Sequence, residues 1–313
     1  MTPPRFFVDR LSGRLRDYTR PMPRTALAAA LLLHSAFAAA EDAASVEIRP
    51  GVKTGSKITR TTETRGKGTI TRESDGASTD FECTMSGVEE LAEEVLEAKD
   101  GRALKAKRRY ERKESVFEVP SVGRKEEKAS SLPGRVLTLE RKDGRTRATS
   151  LEKNVEPRDL ASETLDDEWD VPVAAPGPVA VGDTWKPDGA AVKAWASARG
   201  RTVEEASLEC KLAEIAPLEG RSCARLEIEF AAKGTTKPGE RQPEQRVAWT
   251  LKGNVWWSLD DARVVAFDLK GKLTLEWEIE AAAGKPAEKW RSSMKIGLEG
   301  KSAPGEAEFS DTK

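Results

Sequence analysis

Ser150-Leu-Glu-Lys153 has the Ser-x-x-Lys spacing in which an amine activates a serine hydroxyl, and Lys53-Thr-Gly55 matches the Lys-Thr-Gly of the same penicillin-binding enzymes. The order is wrong: there the Lys-Thr-Gly follows a serine that opens a helix, whereas here it comes first and Ser150 ends a predicted strand. Chance accounts for the match. Carboxylate pairs such as Asp166-Asp167-Glu168 and Asp260-Asp261 could serve a carboxylate-only hydrolase, and Asp260-Asp261 could hold calcium. A chain with 53 acidic residues produces such pairs freely, and the alternating oxygen ligands of a calcium loop are missing.

Histidine narrows the chemistry further. The single histidine, His34, lies in a segment that reads as a secretory signal peptide, residues 1–40. That segment carries Arg5, Arg10, Arg14, Arg16, Arg20 and Arg24, then an apolar run from Thr25, then small residues up to Ala40. Cleavage fits after Ala38 or Ala40, and either Met1 or Met22 could be the start. The mature chain then has no histidine, hence no Ser-His or Cys-His nucleophile and no neutral-pH proton carrier. It holds 46 basic and 51 acidic residues, a balance that suggests no nucleic-acid partner. No metal or cofactor motif is present, and no span long enough to cross a membrane remains after residue 40. The expectation is a periplasmic or secreted protein that is not an enzyme.

Cys83, Cys210 and Cys223 allow one disulfide at most. Cys210 and Cys223 flank a turn at Pro217-Leu-Glu-Gly220 and make the best pair. Their alternation opposes it: Cys210 runs with Leu208 and Leu212 on the apolar face, whereas Cys223 alternates with Arg225 and Glu227, so a bulge is needed.

The elements that would position any site are strands. From Val265 to Ile279 the odd positions are Val265, Phe267, Leu269, Gly271, Leu273, Leu275, Trp277 and Ile279, and the even ones are mostly charged. Period two means one dry face, and the length places a bend or bulge at Gly271. Similar alternation at 208–212, 224–230, 247–257 and 290–298 gives a five-strand antiparallel meander. Trp249, Trp257, Phe267 and Trp277 share the inner face as core or ligand-facing residues; Trp256 points the other way and marks a partner surface. In the first half, Asp100-Gly101 and Asp143-Gly144 predict hairpins. Glu89–Lys99 also has helical spacing, and the hairpin reading is preferred. Short helices are expected near Asp159–Trp169 and Ala190–Ala198.

Asp100-Gly-Arg102 and Glu219-Gly-Arg221 are separated by 119 residues, as are Leu132-Pro-Gly-Arg-Val136 and Leu251-Lys-Gly-Asn-Val255; Val52-Lys-Thr-Gly55 also falls against Val179-Ala-Val-Gly182. These suggest a duplicated β unit, with curved meander sheets in two related halves: an N-terminal repeat at 41–170, a proline-rich linker or crossing segment at 171–187, a C-terminal repeat at 188–299 and a disordered tail at 300–313.

Pro178-Val-Ala-Val-Gly-Asp-Thr-Trp185, with Glu219-Gly-Arg-Ser-Cys-Ala224 and Gly253-Asn-Val-Trp-Trp-Ser-Leu-Asp-Asp261, resembles a group of secreted, β-rich bacterial proteins of uncharacterised activity. Their sheets are loosely similar in shape to lipoprotein-carrier-like folds, which hold acyl chains in a concave sheet. The resemblance implies a binding module for an apolar ligand or, alternatively, a structural or protein-interaction domain of the cell envelope.

Overall fold

The computed structural model describes residues 45–305 and 309, apart from 144, 166–168, 198–200, 237–242 and 282–285; the expected signal peptide lies outside the described residues. Twelve strands are present among them: β1 (Lys57–Ser74), β2 (Ala77–Lys99), β3 (Arg102–Val119), β4 (Arg124–Ala129), β5 (Val136–Lys142), β6 (Arg145–Ser150), β7 (Thr184–Trp185), β8 (Arg201–Leu218), β9 (Arg221–Thr236), β10 (Gln245–Ser258), β11 (Arg263–Ile279) and β12 (Glu288–Pro304). Two short helices join them, α1 (Pro157–Ala161) and α2 (Gly189–Ala196). Asp188 caps α2 by accepting from the Ala190 N–H at 3.1 Å. Both helices are shorter than expected. Residues Glu89–Lys99 lie in β2, as the hairpin reading required.

Two-residue turns set the registers. Asp75-Gly76, Asp100-Gly101 and Glu219-Gly220 all have positive φ at both positions, the geometry that matches the twist of the flanking strands. They fix the pairs Ser74↔Ala77, Lys99↔Arg102 and Leu218↔Arg221, and Asp143 (φ 52°) does the same for Lys142↔Arg145.

The strands form one open antiparallel sheet in the order β6-β5-β3-β2-β1-β12-β11-β10-β9-β8-β7, with β4 beside β3. β1 and β12 pair from Ile58↔Pro304 to Ser74↔Glu288, so the first and last long strands join both parts of the chain. The described residues therefore make one compact unit that is not divided at the proline-rich segment. That segment is a crossing element: Val173 and Val179 are buried, Val46 pairs with Val179, and the Ala175 N–H donates to the Ile48 carbonyl. Gly300–Pro304, expected in a disordered tail, are the end of β12. Of the matched segments, those around Arg102 and Arg221 both lie on hairpin turns, and Val52–Gly55 and Val179–Gly182 both end in a turn whose positive-φ glycine donates to a neighbouring strand, Gly55 to the Val95 carbonyl and Gly182 to the Leu212 carbonyl. Leu132–Val136 leads into β5, whereas Leu251–Val255 sits inside β10.

One face of the sheet is polar, rich in Thr, Lys and Glu, as an antiparallel sheet with one side in water requires. The other, here called the inner face, is apolar. Two caps cover parts of it. The crossing segment, α2 and residues 46–48 pack on β8–β11 around Trp169, Val173, Trp185, Leu226, Ile228, Phe230 and Trp257. Residues 130–165, which include the β5–β6 hairpin and α1, pack on β2 and β3 around Leu91, Tyr110, Leu132, Leu137 and Leu139.

The bulge of the long strand is not at Gly271. The β10–β11 register runs unbroken through Leu251↔Gly271 and shifts at Trp256/Trp257, leaving Val265 as the extra residue and bringing Val264 opposite Trp257. Gly271 has a different cause: a Cβ there would come 1.7 Å from the Thr250 carbonyl oxygen, so only glycine allows the two backbones this close.

Candidate functional site

The registers assemble the inner face in rows that cross the sheet. One row reads Leu251, Gly271, Ile296, Gly66, Met85, Phe117 from β10 to β3; the next reads Trp249, Leu273, Met294, Gly68, Cys83. Then come Leu275, Ser292, Ile70, Phe81, and last Trp277, Trp290, Arg72, Thr79. Within these rows Ile70, Phe81, Met85, Phe117, Leu273, Leu275, Trp277, Trp290 and Ile296 are half-buried, although each lies on the dry face of its strand. The patch runs about 20 Å along β11 from Gly271 to Trp277 at ~3.3 Å per residue, and about 19 Å across the four strand spacings from β11 to β3. It is an apolar strip between the two caps.

Small residues on β1 shape the strip. A Cβ on Gly66 would meet the Met85 Cγ at 2.6 Å, and one on Gly68 would meet the Ser293 carbonyl oxygen at 2.1 Å. Met85 and Met294 therefore lean together over β1, one from each part of the chain. Methionine is unbranched and polarisable, and a surface built from it adapts to what lies on it.

At the far end Trp277 and Trp290 stack, with centroids 5.9 Å apart and planes 6° off parallel. The Arg72 guanidinium lies 5.6 Å from the Trp290 ring centre. Arg72 Nη2 donates to Glu288 Oε1, and Trp290 Nε1 donates to Glu288 Oε2 at 2.9 Å. An opening of about 620 Å³ lies beside this group, lined among others by Ser74, Ala77, Ile279, Glu288 and Lys289.

At the strip's other border is a buried charge network. Arg108 Nε and Nη2 donate to Glu93 Oε2 at 2.8 and 2.6 Å, and its Nη1 donates to Glu163 Oε2 at 3.0 Å. Tyr110 Oη and Lys113 Nζ also donate to Glu163, both at 2.6 Å. Lys113 and Arg60 approach Glu89 at 3.6 and 3.9 Å. Three cations and three carboxylates thus interleave, and Glu163 ties the segment after α1 to the sheet.

The residues singled out from sequence separate on this map. Trp249, Trp257, Phe267 and Trp277 do share one face: Trp249 and Trp257 are buried in the core, Phe267 covers Gly300, and Trp277 is at the strip's end. Trp256 is half-buried on the opposite face, between Arg225 and Ala266 in register. Cys210 and Cys223 do not pair. Cys210 faces Ile228 and Cys223 faces Ala216, which sets them about 17 Å apart along the hairpin, and all three cysteines are free and buried. Burial, with help from the Glu209 charge, pushes the Cys210 thiol up to about 12, and burial also raises Cys83 and Cys223.

Other sequence candidates serve the fold. Ser150 Oγ donates to the Val136 carbonyl and accepts from the Glu152 N–H. Asp260 accepts from the Ser222 N–H, and Asp261 accepts from Ser258 Oγ, so both order the turn between β10 and β11. Asp166–Glu168 lie outside the described residues. The Pro178–Trp185 motif is also architectural: Gly182 has φ 99°, Asp183 accepts from the Ala180 N–H, and buried Trp185 donates from Nε1 to the Val173 carbonyl. Sequence reasoning missed Ile70, Phe81, Met85 and Phe117 as one surface with Leu273 and Leu275. The alternation of residues 290–298 was the visible signal for the β12 side.

No helix among the described residues is long and apolar enough to cross a membrane. No family model and no curated protein matches the sequence. Among solved structures, the chain is similar to lipovitellin, described for its lipid–protein interactions, at 9% identity and a TM-score of 0.38, covering 85% of this chain and 27% of that one. It is also similar to DynF from the dynemicin pathway of Micromonospora chersina, at 9% identity and a TM-score of 0.21, covering 82% and 85% of the two chains. A DUF1329 family protein from Desulfovibrio piger matches at 9% identity and a TM-score of 0.14, covering 80% and 91%.

Proposed function

We propose that this chain is a secreted or periplasmic, non-enzymatic binding protein that holds an elongated apolar ligand of the acyl-chain type on the inner face of its sheet. The half-buried strip from Phe117 and Met85 to Leu275 and Trp277 carries this reading. Covering such side chains contributes about 25 cal/mol for each Å² removed from water, so a ligand lying along the strip is favoured without any directional contact. The dimensions suit one acyl chain: a bilayer's ~30 Å hydrocarbon core gives each leaflet about 15 Å, within the strip's ~20 Å. Secretion is supported by the Arg-rich, apolar and small-residue pattern of residues 1–40. The non-enzymatic part is supported by the use of the buried carboxylates: Glu93 and Glu163 share Arg108, and Asp170 accepts from the Val264 N–H.

Native mass spectrometry of the protein purified from its own envelope, beside Leu275→Lys and Ile296→Lys variants, tests the proposal. The wild type is expected to carry an amphiphile that both variants lose while keeping their melting transition. A wild type that carries nothing and takes up no acyl probe would overturn it.

A further inference from the structure

The registers that build the strip also order the charges of the opposite, polar face. Lys272, Lys295 and Lys67 lie directly side by side on β11, β12 and β1, and in the next row Lys270 and Arg65 flank Gly297. Neighbouring strands are about 4.8 Å apart, and like charges held opposite one another at that spacing destabilise a sheet. Elsewhere on this face cations sit beside carboxylates: Arg225 by Glu214, Lys233 by Glu205, Lys252 by Glu229 and Arg291 by Glu276. Lys67, Lys270, Lys272 and Lys295 are exposed and have no ion pair or hydrogen bond among the described residues. The register gives the reason. The positions around Lys295 hold Lys67, Lys270, Lys272, Arg65, Gly297, Ser293, Thr69 and Thr274, and no carboxylate. Gly297 has open space where a side chain would stand, so the ammonium groups border a clear floor. The carboxylates of the same strands, Asp268, Glu299 and Glu63, form a row about 13 Å from the lysine row, beyond the ~10 Å at which salt screens exposed charges.

We propose that this row docks the protein on an anionic phospholipid surface, with the lysine ammoniums against headgroup phosphates and the strip on the opposite face left uncovered. The chain after residue 40 holds 46 basic and 51 acidic residues, so the attraction is local to these strands and invisible in the overall balance. Cations spread over three strands and two rows match a plane of phosphates better than they match a linear polymer. The next row, Thr274, Ser293 and Thr69, adds hydroxyl donors for phosphate oxygens. Exposed large apolar side chains, Val122, Leu151, Val181 and Ile279, lie elsewhere, so the contact is electrostatic and without insertion. It does not depend on a ligand in the strip.

The test sediments the full chain with vesicles of phosphatidylcholine alone and of phosphatidylcholine mixed with phosphatidylglycerol. The wild type is expected to bind the mixed vesicles only, and to leave them at about 1 M salt, where screening acts within ~3 Å. Lys272→Gln and Lys295→Gln should each weaken binding about fivefold, and the double variant about 25-fold, the factor that a lysine near an anionic bilayer supplies. Lys211→Gln, on the same face but beside Glu227 and away from the row, should bind as the wild type does. Lys295→Gln should melt no lower than wild type, because it relieves like-charge crowding, so lost binding is not lost folding. Absence of binding to the mixed vesicles, equal binding to phosphatidylcholine, or indifference to the lysine changes overturns the proposal. So does capture of soluble polyphosphate without vesicle binding, which assigns the row to a polymer, or a salt-sensitive dimer split by Lys295→Gln, which assigns it to a second copy.

Discussion

Removing Arg108 should be among the most damaging single changes in this protein. Its side chain is 2% exposed, and the guanidinium is shared between Glu93 and Glu163, whose side chains are 8% and 1% exposed. Arg108→Met preserves most of the apolar stem and removes the charge. Glu163 keeps Tyr110 and Lys113, but Glu93 loses both guanidinium bonds and remains in a site that water barely reaches. Breaking a buried pair from one side costs about 3–5 kcal/mol, because the orphaned charge keeps its desolvation penalty and loses its compensation. In a unit of this size that lowers Tm by roughly 6–20 °C. Urea denaturation read by circular dichroism, with the slope checked for constancy, measures it. Replacing the buried part of the network, Glu93→Leu, Arg108→Leu, Glu163→Leu and Tyr110→Phe together, should return stability to within about 2 kcal/mol of wild type, since Lys113 and Arg60 keep Glu89 and no buried charge is left uncompensated. A cost below about 1 kcal/mol for Arg108→Met refutes the reasoning: the site would then be wet enough to solvate Glu93.

Other changes read out single features. Native protein should resist alkylation at all three cysteines and yield three thiols on unfolding; one thiol would restore the Cys210–Cys223 bridge. Gly271→Ala should cost at least about 2 kcal/mol, because its Cβ meets the Thr250 carbonyl oxygen, while Gly297→Ala, with open space around it, should be neutral or stabilise by up to about 1 kcal/mol; paired urea curves decide. Burial alone would raise the Asp159 carboxyl, but the Ser131 N–H, the Ser131 and Ser130 hydroxyls and the Arg158 charge outweigh it and hold it below the usual carboxylate range. Its stabilisation is present above the unfolded-state pKa of about 3.9 and lost as pH falls through the lower folded value, so Asp159→Asn should cost about 1 kcal/mol at pH 7, and the gap to wild type should close in acid.

The local rules carried far in this sequence. Alternation located β8–β12, and Asp-Gly and Glu-Gly dipeptides located the hairpins, because a turn with positive φ at two positions needs few side chains to specify it. The dry face of β1 was illegible for a physical reason. Its residues are Ile58, Arg60, Thr62, Thr64, Gly66, Gly68, Ile70 and Arg72, small where the backbones crowd and charged towards both ends, so no hydrophobic period appears. Glu93 and Arg108 look like surface residues in their own strands, because the group that completes their burial, Glu163, lies more than fifty residues away in sequence. Val265 and Gly271 exchanged roles for a similar reason: a register shift and a close backbone approach both depend on the partner strand.

The seam between β1 and β12 explains both the single sheet and the site. Its pairs, from Ile58↔Pro304 to Ser74↔Glu288, join residues over two hundred positions apart, so the closure entropy is among the largest the chain meets. What offsets it lies directly over the seam. Because Gly66 and Gly68 have no side chains, Met85 from β2 and Met294 from β12 meet above β1, and Cys83, Val119 and Met294 form a small core of their own. The same omission of side chains leaves the strip shallow enough to lie open on either side of the two methionines. Cutting the chain at the proline-rich segment would therefore divide the surface as well as the sheet: Ile70, Phe81, Met85 and Phe117 would fall on one piece, and Leu273, Leu275, Trp277 and Ile296 on the other. Any ligand that needs the full strip is bound only by the sheet joined at this seam.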